Sequence, residues 1–393
     1  MSVLDPFLRE QLEKIKAEGQ HRSLVAVSHL DQGMIEISGR RYLNLAGNDY
    51  LGLATNRDLL TAFYQEQDRE NLLENYGLGS TASRLMTGNT LPYARLEQQL
   101  CELYQAEAVL VFNSGYHINI GLLPALTGKQ DLILADKLCH ASLIDGMRLS
   151  RARVVRYPHL DYPAIEQILA KDRRKYRQVI IVTESIFSMD GDGADLVELV
   201  RIKDRFQAAL YVDEAHGVGI RGEHGCGLAE EQGVHRRIEI LTGTFGKAFG
   251  GQGAFVVGSS QLIDYLVNTA RSQIFSTGLP PVSAHWLCFV LRQIPLMREQ
   301  RVKVDQLASR FRAALRDLGL RTDGSSNIVP VMVGDAARTV AAADRICEAG
   351  YWVKAVRPPT VPVGTSRLRL SLNAAMSWEQ LAPLPAIIKA SLE

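Results

Sequence analysis

Thr242-Gly-Thr-Phe-Gly-Lys-Ala-Phe-Gly-Gly251 decides the reading of this chain, and Lys247 is its centre. Upstream, Ile238-Glu-Ile-Leu241 reads as a short buried strand; downstream, Gly250, Gly251 and Gly253 allow close backbone approach. A lysine set among glycines and threonines after a strand has little to pack against. It is placed to present an amine to something small. A nucleotide P-loop is excluded, because that loop needs G-x-x-x-x-G-K-[ST]. Leu241 stands where its first glycine belongs, and Ala248 where its hydroxyl belongs.

Working outward, other strand candidates also end in polar residues. Val179-Ile-Ile-Val-Thr183 runs into Glu184 and Ser188, and Ala208-Ala-Leu-Tyr-Val212 into Asp213 and His216. Ala108-Val-Leu-Val-Phe112 is followed by Asn113-Ser-Gly-Tyr116 and a helical stretch starting near His117. A strand, a tight glycine turn and a helix together aim free backbone N–H groups at a phosphate. Helical patterns such as Leu196 to Phe206 lie between these strands. Strands alternating with helices imply right-handed crossovers and a mainly parallel sheet, in which ligands gather at the carboxyl ends of the strands. Ser188, Asp213, His216, Thr244 and Lys247 are therefore expected in one crevice.

The flanks are read more coarsely. Pro6 to Ala17 predicts an amphipathic helix with Leu8, Leu12 and Ile15 on one face, and Arg22 follows in a turn. Met34 to Leu45 predicts a hairpin turning at Ser38-Gly39, Tyr76 to Arg84 a small-residue loop, and the stretch after Pro92 a helix. A long helical region from Pro280-Pro281 to about Leu318 leads to a smaller α+β unit. Strands are expected there at Ile328 to Val333, Tyr351 to Val356 and Arg367 to Leu372, a helix at Asp335 to Ala349, and a last helix near Ala386, after Pro383 and Pro385. The division expected is an N-terminal helix and hairpin segment (1–50), a large domain (51–285) and a C-terminal α+β domain (286–393).

Composition narrows the partners. The 393 residues carry 46% hydrophobic content, ordinary for a globular protein with a large core. Net charge is +1, which gives no reason to expect nucleic acid or an anionic membrane. No apolar run approaches the ~20 residues of a membrane helix, and the N-terminus lacks a signal-peptide core. Five scattered cysteines without a C-x-x-C argue against disulfides or a zinc site and suit a reducing cytoplasm. No metal site is expected: Asp190-Gly-Asp-Gly-Ala-Asp195 lacks the EF-hand spacing and terminal Glu, and the glycines between His216 and His224 do not suggest a metal pair.

The amine of Lys247 asks for a carbonyl partner. Pyridoxal 5′-phosphate, held as a Schiff base, needs a carboxylate at its ring nitrogen, phosphate donors and something against the ring face. Asp213 offers the carboxylate, Thr244 and the amides of Ser114, Gly115 and Tyr116 the donors, and His140, in Cys139-His-Ala-Ser-Leu143, a ring to stack. Each alone has a bland reading as a cap or a core histidine. Together they meet every demand of one cofactor from separate strand ends.

With these residues in view, the chain resembles the α-oxoamine synthases of the fold-type I pyridoxal-phosphate enzymes. Asp213-Glu-Ala-His-Gly217, Thr244-Phe-Gly-Lys-Ala-Phe249 and Asn48-Asp-Tyr-Leu-Gly52 carry the resemblance, in the right order, from about Arg22 to Ala375. It implies an α/β fold with a mainly parallel large-domain sheet flanked by helices and a smaller α+β domain. It implies that Lys247 bonds the cofactor, Asp213 pairs with the pyridinium, His140 stacks, and Ser188 and His216 sit near the ring hydroxyl. Thr244, Gly115 and Tyr116 then bind phosphate, with Ser276 and Thr277 reaching the phosphate of a neighbouring subunit in a homodimer. Arg22, Asn48 and Thr360 contact substrate, and either Arg369 or Arg357 holds the amino acid's carboxylate, Arg369 being favoured. Within the family, Arg357-Pro-Pro-Thr-Val-Pro-Val-Gly-Thr-Ser-Arg-Leu-Arg-Leu370 most resembles the branch that serves biotin synthesis. That branch joins L-alanine to a pimeloyl thioester of coenzyme A or acyl carrier protein. Glycine acetyltransferases and 5-aminolaevulinate synthases typically have Tyr-Pro in place of Arg357-Pro358, whereas serine palmitoyltransferases can share Arg-Pro-Pro. A non-catalytic binding module on the same fold is the remaining alternative. One departure is Thr81-Ala82, where many such synthases have Gly-Gly.

Overall fold

The computed structural model describes residues 3–393. A helix over Asp5–Ala17 comes first, and Phe7, Leu8, Leu12 and Ile15 remain exposed on it. Strand β1 (Ser28–His29) then pairs with a hairpin of β2 (Met34–Ile37) and β3 (Arg40–Asn44). Ser38 and Gly39 both take positive φ at the turn, the geometry that matches a hairpin's twist.

The central sheet has seven strands: β4 (Ala108–Phe112), β5 (Leu132–Asp136), β6 (Arg153–Tyr157), β7 (Val179–Glu184), β8 (Ala209–Asp213), β9 (Ile240–Thr244) and β10 (Ala254–Gly258), in the order β4-β10-β9-β8-β7-β5-β6. Three of these, β5, β6 and β10, are additions to the sequence reading. In β5 and β10 the apolar run passes directly into charged or glycine-rich turns, and β6, at the sheet edge, carries arginines facing solvent. Strands β5 to β9 run parallel, while β10 is antiparallel to both β9 and β4. That single reversal has a consequence for Lys247. The loop 245–253 leaves β9 at its carboxyl end and returns at the same end, and β4, reversed twice, points its carboxyl end there too.

Both faces of the sheet are covered, which is why the strands read as continuous apolar runs. Alternate residues divide between two cores. Val109, Leu134, Ile181, Val212 and Phe255 pack with Leu96, Leu100 and Leu199 on one side. Leu110, Ile133, Val182, Tyr211 and Val256 pack with Ile118, Leu122, Leu143 and Met147 on the other.

The expected helical region after Pro280 is two helices, Pro281–Leu291 and the 20-residue Arg298–Asp317, separated by a 3-10 turn at Ile294–Leu296. Strand β11 (Ile328–Gly334) follows. Tyr351 to Val356 is not one strand: the buried Val353 separates β12 (Tyr351–Trp352), which pairs parallel with β3, from β13 (Lys354–Val356), which pairs with β14 (Ser366–Ser371). The last helix starts earlier than expected, at Leu384, because Pro385 lies in its first turn where a missing N–H leaves no hydrogen bond unmade.

Gly146 permits the approach of the helices Gly115–Leu126 and Ala141–Leu149, since a Cβ there would lie 2.1 Å from the Asn119 carbonyl oxygen. Gly146→Ala is expected to destabilise by about 1–3 kcal/mol through overpacking, against the roughly 1 kcal/mol gain that helix propensity alone predicts. Urea denaturation reads the sign directly.

Candidate active site

The carboxyl edge of the sheet collects the polar strand ends. Asp213 closes β8, and its two oxygens are held in place: Oδ1 accepts from the Ala215 amide (2.9 Å) and Oδ2 from Asn119 Nδ2 (3.0 Å). Asn119 is itself fixed, because Tyr211 donates to its Oδ1 (2.6 Å) and its amide nitrogen also donates to Ser142 Oγ (2.8 Å). Ser142 Oγ lies 2.7 Å from His140 Nδ1. This steers the imidazole from one edge and leaves the ring exposed. Glu184, buried at the end of β7, accepts the His140 amide at 2.5 Å. Burial and the neighbouring Asp213 charge push its carboxyl well above the usual range, with Lys247 pulling it down.

Lys247 Nζ lies 2.6 Å from His216 Nε2. Burial lowers the amine from its ordinary 10.5 to about 8, and Arg369 adds to this while Asp213 and Glu184 oppose it. Burial, then Lys247, Arg369 and His140, push His216 well below its ordinary value, so its imidazole is neutral. With Nε2 accepting from Lys247, Nδ1 carries the proton and donates to the Tyr50 oxygen, 2.6 Å away. Tyr50 donates in turn to Asn48 Oδ1 (3.1 Å).

Arg369 closes this chain. Its Nη2 donates to Asn48 Oδ1 (3.1 Å) and more distantly to Tyr50 (3.4 Å), Nε to the Ser188 carbonyl (2.6 Å) and Nη1 to Ser371 Oγ (2.9 Å). All these partners are neutral oxygens, so the guanidinium keeps its charge for an anionic ligand.

A second group faces Lys247 from β4. A Cβ on Gly115 would stand 3.9 Å from Thr244 Oγ1, so the two residues confront each other across a narrow gap. Gly115 and Tyr116 open a helix capped by Ser114, and amides at that position have no acceptor within the helix. The donor set fits a phosphorylated aldehyde: a low-pKa amine, an oriented carboxylate, free helix amides and a half-open ring.

Other expected residues stand apart. Thr277 is exposed, its carbonyl accepting from Asn113 (2.6 Å), and Ser276 precedes it at the surface of the same chain. Arg22 donates to Thr360 Oγ1 (3.2 Å), while Arg357 donates to the carbonyls of Gly19 (3.0 Å) and His21 (3.2 Å). Arg22, Thr360 and Arg357 thus form a strap between the N-terminal segment and the 357–360 loop, separate from Arg369. Thr81 takes a φ of 56°, a left-handed conformation that glycine adopts more easily. Tyr50, Asn119 and Ser142 are additions to the sequence reading, and Glu184, read there only as a polar strand end, joins them. Tyr50 was visible inside the Asn48–Gly52 motif, but Asn119, buried in mid-helix, carries no local signal.

Comparison with known proteins agrees with this geometry. The family model for aminotransferase class I and II matches residues 40–388. A relative from Pasteurella multocida named putative 8-amino-7-oxononanoate synthase is 46% identical over 386 residues, covering 98% of each chain. The chain belongs to the aminotransferase class I and II family, in its α-oxoamine synthase branch. This α-oxoamine synthase is also 46% identical, over 390 residues and 99% of each chain, to the 8-amino-7-oxononanoate synthase of Chlorobaculum parvum. Among solved structures, the Sphingomonas wittichii serine palmitoyltransferase superposes with a TM-score of 0.90 at 30% identity, covering 100% of this chain and 98% of that one. An 8-amino-7-oxononanoate synthase from Francisella tularensis superposes with a TM-score of 0.76 at 27% identity, covering 89% and 98%. The α-oxoamine synthase is therefore a fold-type I, pyridoxal-phosphate-dependent acyltransferase.

The depressed amine has a direct consequence. Lys247 is protonated below about pH 8 and free above it, so capture of pyridoxal phosphate by the apoprotein is expected to quicken through pH 8. A stopped-flow profile with its midpoint near 10, as for an ordinary lysine, contradicts this.

Proposed function

We propose that this enzyme condenses L-alanine with a pimeloyl thioester, of coenzyme A or of an acyl carrier protein, to give 8-amino-7-oxononanoate, CO2 and the free thiol carrier, a step of biotin synthesis. The observation that carries the reading is the pairing of Lys247 and His216 beside the Arg369 guanidinium, which among the described residues meets only neutral oxygens. The names of relatives at 46% identity over nearly the whole chain support the substrate pair.

Pyridoxal phosphate, when bound, supplies an electron sink for the pair left at Cα when a substituent departs. The residues do the rest. Lys247 and Asp213 would hold the cofactor's aldehyde and ring-nitrogen ends, His140 would lie against the ring, and Ser188 and His216 would stand by the ring hydroxyl. Gly115, Tyr116 and Thr244 would take the phosphate. Arg369 pairs with the alanine carboxylate, with Asn48 beside it, and so selects which Cα bond stands across the ring face. Lys247 Nζ, which burial and Arg369 bring down to about 8, would remove the Cα proton and return one after CO2 has left, with His216 Nε2 accepting its hydrogen bond. Arg22, Thr360 and Arg357, strapped together, would meet the acyl donor.

We infer a homodimer with Ser276 and Thr277 reaching the partner's phosphate site. Exposed apolar residues beside this segment, Phe275 (69%), Met86 (77%) and Leu78 (88%), support a second copy covering the surface. All five cysteines are unpaired, in keeping with a cytoplasmic enzyme. Among the described residues no helix is long and apolar enough to cross a membrane.

Visible-absorbance titration of the cofactor-loaded protein with L-alanine, glycine and L-serine, followed by pimeloyl-CoA, tests the substrate. Alanine is expected to perturb the spectrum most, and pimeloyl-CoA then to release CoA. Preference for serine instead supports the serine palmitoyltransferase reading that the shape similarity also favours. Lys247→Ala is expected to lose both the bound-cofactor absorbance and product. Arg369→Ala should raise the KM for alanine roughly ten- to hundredfold, the worth of about 1.5–3 kcal/mol for a hydrogen bond to a charged group. Arg357→Ala should leave that KM within about threefold, since its side chain answers backbone carbonyls instead.

A further inference from the structure

Outside this machinery, His159 sits between two carboxylates. Its Nδ1 is 2.9 Å from Asp136 Oδ1 and its Nε2 is 2.8 Å from Asp192 Oδ2. A neutral imidazole has one N–H and one lone pair, so it would turn a lone pair toward one of the two carboxylates. Only the doubly protonated ring donates to both. Burial opposes that charge, but the hydrogen bonds and charges of Asp136 and Asp192 outweigh it and take His159 up to about 10.

The two carboxylates belong to different parts of the site. Asp136 is fully buried at the end of β5, where it also accepts the amides of Leu138 (2.8 Å) and Leu160 (2.9 Å). It thereby shapes the turn that delivers His140. Asp192 belongs to the loop after β7, folded on itself by Phe187 N to Asp192 O (3.0 Å) and Gly191 N to Phe187 O (2.9 Å). The Phe187 ring meets the imidazole edge-on, with centroids 4.4 Å apart. The next residue is Ser188, whose carbonyl holds Arg369 Nε at 2.6 Å. Asp190, two further on, pairs with Arg367 on the same strand as Arg369.

We propose that His159 is a positioning residue: it locks the Ser188 loop to the end of β5 and so sets where Arg369 stands relative to the His140 ring. This rests on Arg369 holding the amino-acid carboxylate. A histidine that only held the fold together would affect stability and leave amino-acid affinity in the folded molecules alone.

The test compares His159→Gln and Asp192→Asn with the wild-type holoenzyme. Asp192 is 29% exposed at its side chain, so its amide variant tolerates water and keeps the test alive if H159Q does not fold. Thermal midpoint, KM values and amino-acid affinity from the cofactor's visible absorbance are measured, the last with L-alanine, glycine and L-serine. In both variants the affinity for the preferred amino acid is expected to weaken about tenfold and its KM to rise alike, the scale of one misplaced charge-assisted hydrogen bond. The KM for the thioester is expected to stay within about twofold. Variants with a lower thermal midpoint and wild-type amino-acid affinity overturn the positioning role alone. A wild type whose absorbance answers none of the three amino acids overturns it together with the reading of Arg369.

Discussion

An amine and an imidazole 2.6 Å apart in a buried site cannot both be charged, and the rest of the structure depends on which of them gives way. His216 is enclosed by Lys247, Arg369 and the His140 ring with no carboxylate of its own, so it stays neutral and works as an acceptor. Lys247 keeps a proton more readily because Asp213 and Glu184 face it, yet burial and Arg369 bring it within reach of neutral pH. The site thus holds an amine that gives up its proton near pH 8 beside an imidazole that stays neutral. Tyr50 and Asn48 then transmit the orientation of His216 to Arg369 through hydrogen bonds of 2.6, 3.1 and 3.1 Å.

That constraint requires residues from five strand ends to meet, and the sheet topology provides the meeting. In an all-parallel sheet the Lys247 loop would cross over to begin another layer. Instead β10 returns antiparallel beside β9, which keeps the loop 245–253 short and pressed against the crevice. The same reversal lets β4 bring its helix N-terminus opposite Thr244. The C-terminal strand β14 brings Arg369 from more than a hundred residues away, anchored to the Ser188 loop and to Asn48.

Much of this was legible in the chain. The strands β4, β7, β8 and β9 are apolar runs ending in reactive residues, and buried parallel strands have that pattern because both faces are covered. The hairpin at Ser38-Gly39 follows from a turn that demands positive φ. What escaped was of two kinds. Strand β6 lies at an edge with arginines outward, and the expected strand Tyr351 to Val356 divides at Val353 into β12 and β13, so tertiary pairing rather than local pattern sets these strands. Asn119 and Ser142 hold Asp213 and His140 through side-chain hydrogen bonds inside a folded core, and residue type alone does not distinguish them from helix caps and ordinary polar residues.

The sequence by itself indicated the fold class and placed Lys247, Asp213 and the Ser114-Gly115 turn at strand ends, because apolar runs that stop at polar residues are a local pattern. Only the tertiary structure shows the partners of the arginines and which of the bases burial discharges. The family resemblance favours Arg369 over Arg357 for a carboxylate, but residue type alone does not separate them. Arg357 is strapped to the carbonyls of Gly19 and His21, and Arg369 stands on Asn48, Tyr50 and Ser188 at the crevice. Charge state and partner depend on burial and on neighbours brought from afar, and these exist only once the chain has folded.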